Sequence, residues 1–438
     1  MIFPLMGRRR LFSGSENFVF YDFFSGDHVD ENVFAYSNSL GGEHGLILYH
    51  NRYATTSGWI RTSTAIAGKN DRGESILVQR TLGEALCCNP DGRFYYSFRD
   101  YSSGLEHLRS GSEICSKGLY AQLSGYEYRA YLDFRELRDD EFGSWGKLCA
   151  GLNGRGVASL AEEMKQVRYG VVIEAFRVTV GAAARYLVGS AEGAEEERLR
   201  SVIEGFYAEL NRHTACSGDC RALAERTMKE IAAAYGLQGL NAVADVPEST
   251  PAAEAYADRL LLAAWLILHD AGSLAAAEEQ QMVIVSWLGE LGLERAFREL
   301  AGKASGETGA SACGGEESAL LLRATLRWQN FFGGWEMKDA FNRFTLLFAD
   351  PGAREFLNCH AYEEHEWFNR ERFDILLGWL VKVDTKSLAA TFGPEKVDEI
   401  ALLGKALHNL QAAAAEGGYR LDRFLDMLQA GSTGREPK

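Results

Sequence analysis

The chain has 438 residues, of which 46% are hydrophobic and 24% are charged, and its formal net charge at pH 7 is -15. This composition excludes a collagen-like chain, low-complexity disorder and a disulfide-stabilised miniprotein. The acidic excess repels phosphate backbones and therefore disfavours a general nucleic-acid binder.

Targeting signals are not apparent in the sequence. In the opening stretch the basic residues follow the apolar ones, which is the reverse of a secretory signal. The longest apolar run, Leu260 to Leu268, has nine residues, whereas a membrane span needs about 20. The eight cysteines form no dense framework. We therefore expect reduced thiols, a cytoplasmic location and neither a membrane nor a nucleic-acid partner.

The first third of the chain is rich in aromatic residues and alternates with a period of two. Residues 1–150 contain 11 of the 18 Tyr and 11 of the 24 Phe. The runs Val33–Ser37 and Leu46–Tyr49 flank Gly41 and Gly42, and apolar residues alternate on both sides of Gly125. Such alternation gives one buried and one solvated face. It predicts an antiparallel β-sandwich over residues 25–145.

From about residue 150 the apolar residues recur at helical spacing. Ser159 and Glu162 form a capping-box pattern, and Thr250 with Pro251 marks another helix start. Further helices are predicted over residues 275–301, 318–332, 336–349, 366–383 and 395–430, with a flexible loop near 302–318. Residues 150–435 are thus predicted to be all-helical. The predicted fold class is α+β multidomain, with an N-terminal antiparallel β-sandwich followed by a large all-α region.

Three strings in the β region resemble one protein family. They are SENFVFYDFFSGDHVDENVFAYSN, GLILYHNRYATTSGWIRTS and KGLYAQLSGYEYRAYLDFREL. They resemble the C-terminal part of α-amylase-family glycoside hydrolases, in a mostly bacterial branch with a large C-terminal extension. In that family a (β/α)8 barrel carries the chemistry, and a β-sandwich called domain C packs behind it. The string from Glu366 to Phe373 also resembles the helical tail of that branch.

The resemblance implies a non-catalytic rear part of an α-amylase-like enzyme of α-glucan metabolism, which covers starch, glycogen and maltodextrin. A barrel takes roughly 250 residues and would precede domain C, so residues 1–24 are expected to be a remnant of its end or a linker. We therefore expect a split or truncated enzyme that has no activity alone and no cofactor. Its candidate partners are a separate barrel-containing polypeptide and α-glucan.

Two alternatives stay open beside the split enzyme. The chain is also consistent with a stand-alone protein- or carbohydrate-binding module on a helical scaffold. A third interpretation is an independent enzyme with an unrecognised site in the helical part.

One string has the form of a catalytic motif. Gly418 to Asp422, GYRLD, matches the G-x-R-x-D pattern that places a nucleophilic Asp at the end of a barrel strand in α-amylases. Here the flanking residues are helical, so we interpret the glycines as a break that opens a last helix. The pair His269 and Asp270 lacks the Asn that precedes such a pair in the family. No catalytic residue is assigned.

Two groups of residues have spacings that suggest metal ligands. Cys216 and Cys220 are four apart with His213 nearby, but a zinc site usually needs two such pairs. His360 and His365 would diverge by about 140° on a helix. We predict no metal site.

Aromatic and polar residues that follow the second predicted strand are candidates for carbohydrate contacts. They are Tyr49, Asn51, Arg52, Tyr53 and Trp59. Sugars stack their C–H faces on aromatic rings, while amide and guanidinium groups bind their hydroxyls. The competing interpretation is that these aromatics fill a sheet core or a seam to the barrel. The apolar segment Met1–Phe24 is expected to fold onto the helical region or to drive self-association.

Overall fold

A computed structural model describes residues 7–69, 72, 74–189, 193–236, 252–275, 278–306, 314–392 and 397–433. The chain divides into two units, Met1–Arg168 and Tyr169–Lys438. The first is an antiparallel β domain and the second is mainly helical. The predicted α+β multidomain class is therefore confirmed.

The first unit is built on one curled antiparallel sheet. The strands of this unit are β1 (Val19–Ser25), β2 (His28–Val29), β3 (Val33–Leu40), β4 (Glu43–His50), β5 (Thr56–Ser63), β6 (Ile66–Lys69), β7 (Ser75–Val78), β8 (Phe94–Asp100), β9 (Glu106–Ser110), β10 (Leu119–Leu123) and β11 (Tyr128–Arg138). The sheet order is β10-β5-β1-β3-β4-β11-β8-β9, with β2 paired to β1. β6 and β7 form a separate hairpin.

The sheet begins earlier in the chain than the predicted boundary at residue 25. Residues 19–24 form most of β1, which lies between β5 and β3 in the sheet. The β3–β4 hairpin matches the prediction, since Leu40 pairs with Glu43 around Gly41 and Gly42. Both glycines have positive φ, 59° and 85°, as a two-residue hairpin turn requires.

Alternation along the strands builds the core of the first unit. The inward side chains of Tyr21, Phe23, Leu48, Phe98 and Leu123 are buried in one cluster. The Tyr21 hydroxyl is also buried, and it hydrogen bonds to the Ser37 hydroxyl at 2.6 Å. This bond matters because a buried hydroxyl without a partner would destabilise the fold.

The segment before β1 folds back onto the sheet of its own unit. Helix α1 (Arg9–Ser13) places Leu11, which is 4% exposed, against this sheet. A Cβ atom added at Gly45 would lie 2.8 Å from Phe12 and 3.1 Å from Leu11. The prediction that this segment packs on the helical region is therefore corrected for Leu11 and Phe12. Phe3 and Leu5 lie outside the described residues.

Helices complete both units. They are α2 (Leu82–Ala85), α3 (Gly111–Lys117), α4 (Ser144–Leu152), α5 (Leu160–Tyr186), α6 (Gly193–Thr214), α7 (Cys220–Gly236), α8 (Ala252–Leu268), α9 (Gln280–Glu290), α10 (Leu293–Gly306), α11 (Gly315–Arg327), α12 (Ala340–Ala349), α13 (Pro351–Phe356), α14 (Arg370–Phe392), α15 (Val397–Glu416) and α16 (Leu421–Thr433). A short hairpin, β12 (His360–Tyr362) and β13 (His365–Trp367), precedes α14. The described helices include none that is long and apolar enough to cross a membrane.

Glycines divide two segments that were predicted as single helices. The predicted helix 275–301 is two helices, because Gly292 adopts a φ of 76° between α9 and α10. The predicted helix 395–430 is likewise interrupted at Gly418, where φ is 65°. Ser159 does cap α5, since its hydroxyl accepts the Glu162 N–H at 3.4 Å. Residues 307–313 of the predicted loop, and Thr250 with Pro251, lie outside the described residues.

Candidate functional site

The outer face of the curled sheet carries a row of aromatic side chains. The strand register places Tyr120 of β10 opposite Trp59 of β5, and Trp59 opposite Phe24 of β1. Farther across the same face, Phe34 pairs with Tyr49 on β4. Because side chains alternate along each strand, these rings point away from the core and towards solvent.

Trp59 and Tyr120 form one end of this row. Their ring centroids are 5.4 Å apart with planes inclined by 63°, an edge-to-face arrangement. The Arg61 guanidinium lies 5.5 Å from the Trp59 ring centroid. Tyr120 is 46% exposed, and Gln122, two residues farther along β10, is also exposed. We call Trp59, Arg61, Tyr120 and Gln122 the edge platform, since β10 is at one end of the sheet order.

The edge platform has the chemistry of a shallow sugar-binding surface. An indole and a phenol offer flat apolar area with a polar group at the rim. A guanidinium and a side-chain amide supply donors, and the amide also supplies an acceptor. The platform is open to solvent, so it suits part of an extended polymer better than an enclosed small molecule.

Tyr49 and Asn51 lie elsewhere on the same face. The Tyr49 ring stacks on Phe34 at a centroid distance of 6.5 Å, and its hydroxyl donates to the Asn51 Oδ1 at 3.3 Å. In the sheet order β1 and β3 separate β5 from β4. Trp59 and Tyr49 are thus three strand spacings apart, about 14 Å.

Arg52 and Tyr53 follow β4 in the connection to β5. The Arg52 carbonyl accepts hydrogen bonds from the N–H groups of Ala54 and Tyr126, at 3.0 and 3.2 Å. The Tyr53 ring is 87% exposed and lies 6.2 Å from the Tyr126 ring. The structure therefore divides the five predicted sugar-contact residues among separate places and does not assemble them into one pocket.

The GYRLD string forms the start of a helix. Asp422 is in the first turn of α16, where Arg420 donates two hydrogen bonds to its carboxylate, at 2.7 and 2.6 Å. The hydrogen bond from Arg420 lowers the pKa of Asp422 to about 2. His365 lies 3.4 Å from the same carboxylate. The groups that contact Asp422 thus include the Arg420 guanidinium, the Arg423 backbone N–H and the His365 imidazole. A retaining hydrolase instead pairs its nucleophile with a second carboxyl group about 5 Å away.

The residues with metal-like spacing are held by other partners. His360 and His365 lie on the β12–β13 hairpin, not on a helix as the spacing suggested. Cys220 accepts a hydrogen bond from the Asn211 amide at 3.1 Å, and the Cys216 thiol is 3.6 Å from the Thr214 carbonyl. Across the part of the chain that the structure describes, no group of three or more His, Cys, Asp or Glu could hold a metal ion.

Comparisons with family models, with curated proteins and with solved structures find no match to this chain. Its function must therefore be argued from its own residues. Three members of the edge platform, Arg61, Tyr120 and Gln122, are not among the residues that the sequence pattern indicated. Tyr120 occupies an outward position in the alternating run Leu119–Leu123, but its neighbour on β5 depends on a pairing between distant segments.

Proposed function

We propose that the chain is a non-catalytic part of an α-amylase-like glycoside hydrolase, and that its β domain contacts α-glucan through the edge platform. The proposal is supported by where the family-like strings lie. They cover all or most of β1, β2, β3, β4, β5, β10 and β11, which include both strands that carry the platform. In the family this region corresponds to domain C.

The observation that carries the proposal is the pairing of Trp59 with Tyr120 on an exposed sheet face. Large aromatic side chains normally bury most of their surface, yet Tyr120 is 46% exposed. In our proposal one glucose unit stacks on the Trp59–Tyr120 surface. Arg61 and Gln122 then hydrogen bond to its hydroxyls.

Catalysis in this proposal resides in a (β/α)8 barrel outside the 438 residues. The contacts of Asp422 support a non-catalytic role for this chain, because Arg420 binds its carboxylate at a helix start. The role of the β domain is then to hold glucan near the catalytic part. Such a role needs affinity for a repeating chain but no catalytic group.

A second candidate function is protein docking, which the phenylalanine-rich part of the same face favours. Phe18 and Phe34 are 45% and 41% exposed, and they contact Tyr36 and Phe20 respectively. Exposed apolar clusters on soluble proteins often mark interfaces. The partner in this case is the barrel. The exchange of Phe18 and Phe34 for Ser should then reduce self-association of the isolated chain in light scattering, without loss of folding.

Gel electrophoresis through immobilised polysaccharide tests the glucan proposal. The full chain should be retarded by glycogen or amylose and not by a β-linked glucan. Trp59→Ala should abolish most of this retardation. Tyr53→Ala is the matched control, since Tyr53 is an exposed aromatic outside the platform. Equal migration of the wild-type chain with and without glycogen would refute the proposal.

A further inference from the structure

A polar cleft lies in the helical unit, where the ends of several helices meet. Its volume is about 670 Å³, and its walls include Glu230 of α7, Trp265 of α8, Gln281 of α9 and Gln329 after α11. A neighbouring cleft of about 770 Å³ shares the Gln281 wall and includes Trp328. Both volumes are within the range of small-molecule sites.

An imidazole is fixed in the wall of the polar cleft by contacts on two sides. The His269 ring is stacked on the Trp265 indole with centroids 4.2 Å apart and planes inclined by 7°. Its Nε2 lies 2.6 Å from a Glu230 carboxylate oxygen. The Gln329 amide donates to the His269 carbonyl at 3.3 Å. These contacts hold the wall in one arrangement, as a preorganised site requires.

Several polar atoms in these walls have unused hydrogen-bonding capacity. The Trp265 side chain is almost wholly buried, at 2% exposure, and its Nε1–H has no acceptor among the described residues. Within the same residues, the Gln329 Oε1 has no donor and the Trp328 Nε1–H has no acceptor. Buried groups without partners are rare in folded proteins and usually indicate a water or ligand that completes them.

The unused groups specify the chemistry of a ligand. In the polar cleft the Trp265 indole N–H needs an acceptor and the Gln329 amide oxygen needs a donor. A hydroxyl group supplies both, whereas an ammonium ion only donates. An anion is disfavoured because four carboxylates line the cleft, those of Glu230, Asp270, Glu278 and Glu279, against the one cation Arg327.

We infer that this cleft binds a neutral polyhydroxylated small molecule, such as a free sugar or polyol. The ligand's hydroxyls accept from the Trp265 indole and donate to the Gln329 amide oxygen, and Glu230 accepts a further hydroxyl. The inference does not rest on glucan binding by the β domain, because the cleft and the edge platform share no residue.

Nuclear magnetic resonance of the indole N–H groups tests the inference. The experiment uses the full chain with Trp59→Ala, which removes the edge platform. Failure of sugar binding in the cleft is then distinguishable from failure of glucan binding by the β domain. Glucose and maltose are the probes. Putrescine and inorganic phosphate are tested separately, as a cationic and an anionic alternative to a neutral hydroxylated ligand. The Trp265 signal is identified by its loss in Trp265→Phe. It should shift saturably with glucose or maltose.

Two variants decide whether the shift reports this cleft. Gln329→Met should weaken the sugar affinity about tenfold, as loss of a hydrogen bond to a buried group predicts. Trp287→Phe, which changes a buried indole outside both clefts, should leave it unchanged. Should Trp265→Phe not fold, calorimetric titration of Gln329→Met decides the same question. No response to either sugar at about 50 mM, or a response only to putrescine or phosphate, would overturn the inference.

Discussion

Phe12 lies directly over Gly45, so that a Cβ atom added to this glycine would come within 2.8 Å of the Phe12 ring. This contact, with the neighbouring burial of Leu11, joins the N-terminal helix to the outer face of the sheet. Residues that the sequence suggested were left over from a barrel are thus part of the packing of the β domain.

We expect Leu11→Ala to lower the free energy of unfolding by about 2–3 kcal/mol, because it removes a buried side chain and leaves a cavity. Arg9→Ala is the matched control, since Arg9 is on the same helix and exposed; it should change stability by less than about 0.5 kcal/mol. Urea denaturation of the full chain, followed by near-ultraviolet circular dichroism, measures both. Equal stability of the two variants would mean that the helix is not docked.

Gly118 should be one of the least replaceable residues of the β domain. Its φ is 83°, and an added Cβ would lie 1.9 Å from the Ile60 carbonyl oxygen. Gly118→Ala should therefore cost about 3 kcal/mol or more. Gly104 has a similar φ of 76° but open space around it, so Gly104→Ala should cost only about 1–2 kcal/mol. If denaturation finds equal losses, the close approach to Ile60 is absent.

His107 should make the stability of the β domain depend on pH. Its ring is stacked on Phe98 at 5.5 Å and meets Tyr131 edge to face at 5.7 Å. Burial, followed by the charge of Arg109, lowers the pKa of His107 to about 4. The unfolded pKa is near 6.5, so the unfolded state binds more protons between these values. The contribution of neutral His107 to the free energy of unfolding is therefore fully present above about pH 6.5. It is lost as the pH falls from about 6.5 to about 4.

His107→Phe removes this titration while it keeps an aromatic ring. The wild-type chain should lose roughly 3 kcal/mol more than the variant between pH 7 and pH 4. Chemical denaturation at a series of pH values measures the difference, and acidic groups common to both chains cancel. Parallel stability curves would show that His107 is not buried as a neutral side chain.

The purified chain should release no reducing sugar from soluble starch above a buffer blank. The reason is the state of Asp422, whose carboxylate is bound by Arg420 at the start of α16. Asp422→Asn should leave this result unchanged and lower the melting temperature by only about 2 °C, as loss of an exposed ion pair predicts. Hydrolysis that Asp422→Asn abolishes would contradict this account, because loss of a true nucleophile costs several orders of magnitude in rate.

Local patterns in the sequence were sufficient for the type of most elements and for the order of the two regions. They did not indicate the β12–β13 hairpin, which lies in the region predicted to be all-helical. The β3–β4 hairpin was predictable because Gly41 and Gly42 provide the positive φ that its turn needs. Helix ends were less accurate where one glycine interrupts a continuous apolar pattern, as Gly292 does. Such a glycine is compatible with either a helix interior or a helix end.

Most of the candidate site could not be predicted, for a different reason. Trp59 could be singled out, but its neighbour Tyr120 is 61 residues away and becomes adjacent only through the β5–β10 pairing. His365 likewise meets Asp422 through a hairpin and a helix start far apart in sequence. Strand register between distant segments depends on the whole core and not on the local pattern.

Isothermal titration of the full chain with maltoheptaose measures binding of α-glucan to the edge platform. We expect saturable binding, at least about tenfold weaker affinity for Tyr120→Ala, and no change for Phe34→Ala, which lies on the same face outside the edge platform. Absence of binding by the wild-type chain would contradict the account. So would an equal loss of affinity in both variants, because the platform would then have no special role.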